Sequence, residues 1–472
     1  MENIMDKFNI IFQKDSPKYM QIAIHIEELI QRGMMEDRDK LPSIRKLSHY
    51  LGVNKDTVIM AYNKLCQHGV CYQKLGSGTY VKSPYNNRDY KKVYAQALKK
   101  LNLKHHSYID FVGDSIREEF FPIEDFKKCI NYIMDRDGAK AFLHNDAKGF
   151  EGLRKTINEA FWDNKYLPGD FLIISGAQQG IDLISRTLIN SADNVVVESP
   201  TYNGALNVFN WRKANVIDIP LQEDGIDLDK FEKVLMKNDI KCFYTMSSLH
   251  NPTGICYSYE KKKRILELAE IYNFYILEDD YMSELIYHEK NENTSFKYLD
   301  NNNKVIYVKS FSKTFLPGIR LGYLLLPKEL KEMVLNFKIN TDISTSSIMQ
   351  RALEVYIKKA YWKTHVKKLR TEYEKRYSFL VEIIQKELQE HLQYTESKGG
   401  LSVYLTIKNN MNSMELFEKG FKQGVVITPG VFFYKNPEDG YKHFKIGFAR
   451  ATEADMVTGL AVIKNIFNEL KR

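Results

Sequence analysis

Ile22, Ile26, Leu29 and Ile30 recur at helical spacing through YMQIAIHIEELIQRG, which predicts an amphipathic helix over 18–32. In LPSIRKLSHYLG, at 41–52, Pro42 and Ser43 suit a helix start. Ile44, Leu47 and Leu51 form its buried stripe, and Gly52 ends it. Asn54 is placed to cap a third helix at 55–69, which buries Val58, Tyr62 and Leu65. The last two helices are about three residues apart, which is helix-turn-helix spacing. Two short strands near 70–74 and 79–82, joined by Leu75-Gly76-Ser77-Gly78, add a β-wing.

Further along, short apolar runs alternate with helical stretches. Strands are predicted at 171–175, 194–198, 215–219, 241–246, 274–278 and 304–309, and helices at 151–163, 178–190, 259–272 and 329–340. This alternation argues for an α/β fold with a largely parallel, doubly wound sheet and ligands at the strand C-terminal ends. A helical stretch over about 348–390 leads to a smaller α/β lobe at 391–472, with strands near 401–405, 425–427 and 443–448. Residues 83–107 show no clear period apart from a helical stretch around 90–101, and read as a linker. The expected division is therefore 10–82, a linker at 83–107, and 108–472.

Composition narrows the class. A chain of 472 residues exceeds what one core usually supports. With 44% hydrophobic and 27% charged residues, it is of ordinary globular composition, neither collagen-like nor wholly disordered. No apolar run approaches the roughly 18 residues of a membrane span, and the N-terminus lacks signal-peptide features. The expected setting is the cytoplasm, without a membrane partner. The 5 cysteines are odd in number and none has CxxC spacing, so reduced thiols are expected, with no disulfide framework and no metal site. The net charge of +8 is unevenly spread. Residues 1–82 carry 12 Lys and Arg against 9 Asp and Glu, residues 83–107 carry 6 against 1, and the rest 50 against 50. The first quarter thus suits a polyanion.

The chemistry of DNA reading fits that quarter. The N-terminal half of a recognition helix enters the major groove, which would aim Asn54, Lys55, Asp56 and Thr57 at base edges. Arg45 and Lys46 suit phosphates or a base edge, and Lys74, Ser77, Gly78 and Thr79 suit backbone contacts from the wing. A generic small helical domain is the alternative on pattern alone. LPSIRKLSHYLGVNKDTVIMAYNKLCQHGV followed by GSGTYV resembles the winged helix-turn-helix of the GntR family of bacterial regulators. The resemblance implies that Arg45, Lys55 and Thr57 are DNA-contacting positions and that Gly78 lies in the wing. Lys55 replaces a common arginine, so the flat fork that reads guanine bidentately is absent there.

The larger part carries unusual residues at predicted strand ends. Gly176-Ala177-Gln178-Gln179-Gly180 opens a helix whose free N–H groups suit a phosphate. Tyr202, in SPTY, could stack on a flat ring, and Asn251 follows another strand. Glu278-Asp279-Asp280 places three carboxylates after an apolar run, which is costly without a cation nearby. KSFSKTFLPGIRLG, at 309–322, sets Lys313 among Ser310, Ser312 and Thr314, with Arg320 following. A phosphate accounts for Ser310, Ser312 and Arg320, and a lysine amine near a cation suits Schiff-base chemistry. Pyridoxal 5'-phosphate (PLP) needs all of these groups together.

This part resembles the fold-type I aminotransferases. The resemblance implies that Lys313 forms the internal aldimine, Asp279 pairs with the pyridine nitrogen, and Tyr281 and Asn251 hydrogen-bond the ring oxygen. It further implies that Tyr202 stacks on the ring and that Ala177, Gln178, Ser310 and Arg320 hold the phosphate. Winged-helix fusions of this kind form the MocR subfamily, which implies a homodimer on repeated or palindromic DNA half-sites. Two positions depart from the family. His144 falls where a tyrosine from the neighbouring subunit is common, and Lys445 falls where an arginine grips an α-carboxylate, with Arg450 nearby. The expectation is a PLP-dependent regulator that senses PLP, an amine or an amino acid by aldimine exchange at Lys313. Main-role aminotransferase catalysis is the alternative.

Overall fold

The computed structural model describes residues 5–10, 12–13, 16–31, 34–35, 39–67, 70–74, 76–81, 89–103, 108–113, 115–144, 146–287 and 294–469. Leu75 of the predicted wing turn and residues 83–88 and 104–107 of the predicted linker lie outside them. The chain divides into two compact units, Met1–Leu103 and Lys104–Arg472.

In the first unit, helices Lys18–Gln31, Ile44–Leu51 and Lys55–Gln67 precede an antiparallel hairpin of Cys71–Lys74 and Gly78–Val81. Ser43 Oγ accepts from the Lys46 backbone N–H at 3.3 Å, and Gly52 closes that helix in the left-handed region at φ 61°. Asn54 Oδ1 accepts from the Asp56 N–H at 3.4 Å at the next helix start. The apolar stripes meet in one core: Ile22, Ile26, Leu47, Val58, Tyr62 and Leu65 are all essentially inaccessible. Tyr62 is satisfied there by donating to the Pro42 carbonyl at 2.7 Å. A further helix, Asp89–Leu103, completes the unit.

The second unit is built on an eight-stranded sheet. Its spatial order is Phe171–Ile174, Gly322–Leu325, Val305–Ser310, Tyr275–Asp280, Ile240–Thr245, Asn194–Ser199, Asn215–Gln222, Gly225–Ile226. The five strands from Val305–Ser310 to Asn215–Gln222 are mutually parallel. Gly322–Leu325 is antiparallel to both its neighbours, so the sheet is mixed at that side. That strand follows the lysine-bearing loop directly and does not figure among the strands predicted from sequence. Period-2 alternation divides the strand residues between two faces. Leu172, Ile174, Tyr244, Leu277 and Val308 pack under helices Ala177–Leu188, Asn203–Trp211 and Lys331–Asp342. Ile173, Tyr307 and Tyr323 face the opposite way, toward Glu151–Trp162 and Ser347–Lys358.

Two readings of the sequence need correction. The stretch 348–390 is two helices, Ser347–Lys358 and Tyr361–Leu388, because Ala360 takes a left-handed φ of 59° between them. Glu278, Asp279 and Asp280 do not follow their strand but end it, since Tyr275–Asp280 still pairs with Val305–Ser310 at Asp280. The chain finishes in a four-stranded antiparallel sheet of Leu392–Thr395, Ser402–Ile407, His443–Gly447 and Thr428–Pro429. Helices Ser413–Lys422 and Glu453–Glu469 accompany it. Among the described residues, no helix is long and apolar enough to cross a membrane.

Candidate functional site

Three parallel strand ends bring polar groups together in the second unit. After Phe171–Ile174, Gly176 turns the chain at φ 99° and Ala177 begins a helix. That φ favours glycine, and a Cβ there would fall 2.8 Å from Arg320 Nη2, so the guanidinium would have to shift. Arg320 Nη2 donates to the Ser175 carbonyl at 3.0 Å and Nη1 to Ser312 Oγ at 3.4 Å. Ser310 Oγ accepts from the Ser312 N–H at 3.3 Å. The helix N-terminus, two serines and a guanidinium therefore converge, and these are the donors an anion needs. Gln178 belongs to the same turn, where its Oε1 accepts from the Tyr202 hydroxyl at 3.2 Å and its Nε2 donates to the Gly204 carbonyl at 3.1 Å.

Asp279 lies on the face of the sheet that Ala177, Tyr202 and Tyr281 pack against. It is only 2% exposed. Its Oδ2 accepts from the Tyr244 hydroxyl at 2.8 Å, while Oδ1 is buried without a partner. Burial pushes its carboxyl up to about 7, with the Asp280 charge adding to the rise and the Tyr244 hydrogen bond opposing it. An orphaned carboxylate oxygen at a strand end is a marker of a missing partner. Asn251 is also buried, in the turn after Ile240–Thr245.

The neighbouring carboxylates face the other way and are compensated there. Asp280 pairs with Lys309 at 2.9 Å, and Glu284 pairs with the same amine at 2.8 Å. Ser247 Oγ and the N–H groups of Phe296 and Lys297 hydrogen-bond Glu278. These groups account for the acidic run, and of its three carboxylates only Asp279 is left with a buried oxygen unpartnered. Lys309, Glu284 and Tyr244 were not singled out from sequence. Lys309 was legible only as the first residue of KSFSK, and nothing local links Tyr244 to Asp279, 35 residues on.

Lys313 is half-buried in the loop after Val305–Ser310, between buried Ser312 and Thr314. His365 Nε2 donates to the Thr314 carbonyl at 2.9 Å and so fastens this loop to the long helix Tyr361–Leu388. Burial pushes the His365 imidazole pKa below its usual value, and the bond to the Thr314 carbonyl opposes that shift.

Three further candidates have these surroundings. His144 lies 3.4 Å from Ser344 Oγ. Lys445, 5% exposed, stands opposite Tyr404 and Thr428 in the small sheet, its Nζ 5.4 Å from the Phe433 ring centre. The Arg450 side chain, 42% exposed, lies 3.9 Å from Asp110. Among the described residues no cluster of His, Cys, Asp or Glu has metal-binding geometry. In the first unit, Arg45, Lys46, Asn54, Lys55, Lys74 and Gly78 are exposed, and Thr57 is half-buried.

Comparison with known proteins adds three findings. Residues 127–463 match the family model for aminotransferase class I and II, and residues 18–81 match that of bacterial regulatory proteins of the gntR family. The uncharacterized HTH-type transcriptional regulator YcxD of Bacillus subtilis (strain 168) is 29% identical, over 94% of this chain and 99% of that protein. Aromatic-amino-acid aminotransferase 1 of Thermococcus litoralis is 28% identical over 77% of this chain and 89% of its own. Among solved structures, the Pyrococcus horikoshii kynurenine aminotransferase in complex with PMP superposes with a TM-score of 0.76 at 29% identity. It covers 80% of this chain and 95% of that one.

Proposed function

The chain belongs to the aminotransferase class I and II family, with a GntR-type helix-turn-helix domain fused ahead of it as in MocR-type regulators. On that premise, we propose that it is a PLP-dependent transcriptional regulator that binds duplex DNA as a homodimer and senses an amine, an amino acid or PLP itself at Lys313. The observation that carries the cofactor reading is the buried, unpartnered Oδ1 of Asp279, in a unit that also gathers Arg320, Ser310 and Ser312 at a helix N-terminus.

When bound, PLP supplies an aldehyde that condenses with amines and a pyridine ring that withdraws electrons. The residues divide the work of holding it. Asp279 Oδ1 would accept from the ring nitrogen, and Tyr202 would lie against the ring. Asn251 and Tyr281 would hydrogen-bond its oxygen. Ala177, Gln178, Ser310 and Arg320 would hold the phosphate, with His144 reaching that of the neighbouring subunit. Lys313 supplies the amine. Lys445, aided by Arg450, would hold a substrate carboxylate through charge without the planar fork of an arginine, which disfavours tight, bidentate amino-acid binding.

On the DNA side, Lys55, Asn54 and Thr57 would face the major groove, Arg45 and Lys46 the phosphates, and Lys74 and Gly78 the flanking backbone. A dimer would read repeated or palindromic half-sites. The test is a PLP and amine titration followed by visible absorption, joined to binding of promoter and random duplexes at several salt concentrations. The proposal requires a bound-cofactor band that responds to one amine class and a preference for the promoter. No band, or equal binding to both duplexes, defeats it. Sustained turnover from amine to keto acid without DNA preference would make the chain an aminotransferase instead.

A further inference from the structure

Among the buried side chains that the reading above leaves unused, Tyr244 touches it most directly. It lies on strand Ile240–Thr245, next to the Asp279 strand, opposite Leu277. Its side chain is fully buried, and its ring packs edge-on against Phe209 at 5.8 Å between centres. Burial first, and then the charge of Asp279, hold its phenol protonated far above the ordinary range. A phenol that keeps its proton, 2.8 Å from a carboxylate oxygen, is a permanent donor to it.

No other described group hydrogen-bonds the Asp279 carboxyl. Asp280 and Lys309 are turned to the other face, where they pair with each other. The nearby Glu198 is occupied by Thr245 Oγ1 at 2.6 Å and the Tyr257 hydroxyl at 2.7 Å. The orientation of the Asp279 carboxyl is therefore set by one bond. Tyr244 occupies Oδ2 and leaves Oδ1 as the sole free acceptor.

We propose that Tyr244 is the positioning residue that orients Asp279 and biases it toward the charged form, so that Oδ1 is presented to a protonated ring nitrogen of the cofactor. This rests on the cofactor reading above. Without the hydroxyl, both carboxyl oxygens would be buried and unpartnered, and the neutral acid, a poor acceptor for an N–H, would gain. A ligand that has no ring nitrogen makes no demand on Asp279 and should not notice the change.

The experiment measures binding of two ligands to the full-length protein. One is PLP, and the other is its analogue with C–H in place of the ring nitrogen. Tyr244→Phe, which keeps the ring and its packing, should weaken PLP by roughly tenfold to a hundredfold, the range for a hydrogen bond to a charged group. It should leave the analogue within about twofold, and retained analogue binding also shows that the site has folded. In an Asp279→Asn background, adding Tyr244→Phe should no longer separate the two ligands. Equal loss of both ligands, or no loss of PLP, overturns the role of Tyr244. Failure of the unaltered protein to bind either ligand defeats the cofactor reading instead.

Discussion

Asp279→Asn should strengthen the cofactor-free protein while weakening its hold on PLP. Burial raises the Asp279 carboxyl from an ordinary 3.8 to about 7. The folded state therefore holds a proton that the unfolded chain releases, and stability falls as pH rises between those two values. At about 1.4 kcal/mol per pH unit, the fully ionised carboxylate costs the fold roughly 4 kcal/mol. Asparagine does not ionise, and its oxygen can still accept from Tyr244. Its NH2 would be left without a partner where Oδ1 now stands, at a cost of about 1–3 kcal/mol. The net expectation is a variant about 2 kcal/mol more stable near pH 8, with the gap crossing zero at pH ~5 and the variant about 2 kcal/mol less stable toward pH ~4, where only the amide cost remains. Denaturant unfolding of both proteins across that range measures it. A gap that does not change with pH, or a less stable variant above pH 7, would refute the desolvated-carboxylate argument. The same substitution should lower PLP affinity, because a neutral amide gives no charge to a pyridinium.

Three further outcomes are expected. Lys313→Ala should abolish the visible band of protein-bound PLP while leaving duplex binding by the first unit in place, as spectra and gel shifts on one preparation would show. Lys55→Ala should leave that band untouched and weaken DNA binding, lowering the slope of log affinity against log salt by about 1 if the lysine contacts a phosphate. Arg320→Lys keeps a charge but loses the fork that spans Ser175 and Ser312. PLP affinity by titration should fall by about tenfold, in line with the loss of a charge-assisted bidentate contact.

Much of this architecture was legible along the chain because it is local. Ile22, Ile26, Leu47, Val58 and Leu65 follow helical spacing and all end in one core, and Ser43 and Gly52 cap the helix they bracket. The alternation of apolar runs and helices marks the doubly wound sheet. Gly176 on one segment and Ser310, Ser312 and Arg320 on another stood out as local patterns, while their meeting across 145 residues, as Arg320 does with Ser175, is a matter of the fold. What escaped was long-range or broke a local pattern. Gly322–Leu325 follows Val305–Ser310 with no α-helix between them and runs against its neighbours, so it breaks the strand–helix alternation. Ala360 interrupts an otherwise continuous helical pattern with a left-handed turn, which nothing in its residue type announces.

The acidic run marks where the two kinds of information part. Glu278, Asp279 and Asp280 are conspicuous in any reading of the chain, because three adjacent carboxylates demand compensation. Strand pleating and the partners across the sheet decide how each is compensated. Successive side chains point to opposite faces, so Asp280 meets Lys309 while Asp279 meets only Tyr244. Those partners come from neighbouring strands distant in sequence, and no spacing rule couples them. The order of residues states which groups can carry charge, and the fold alone selects the one left half unpartnered.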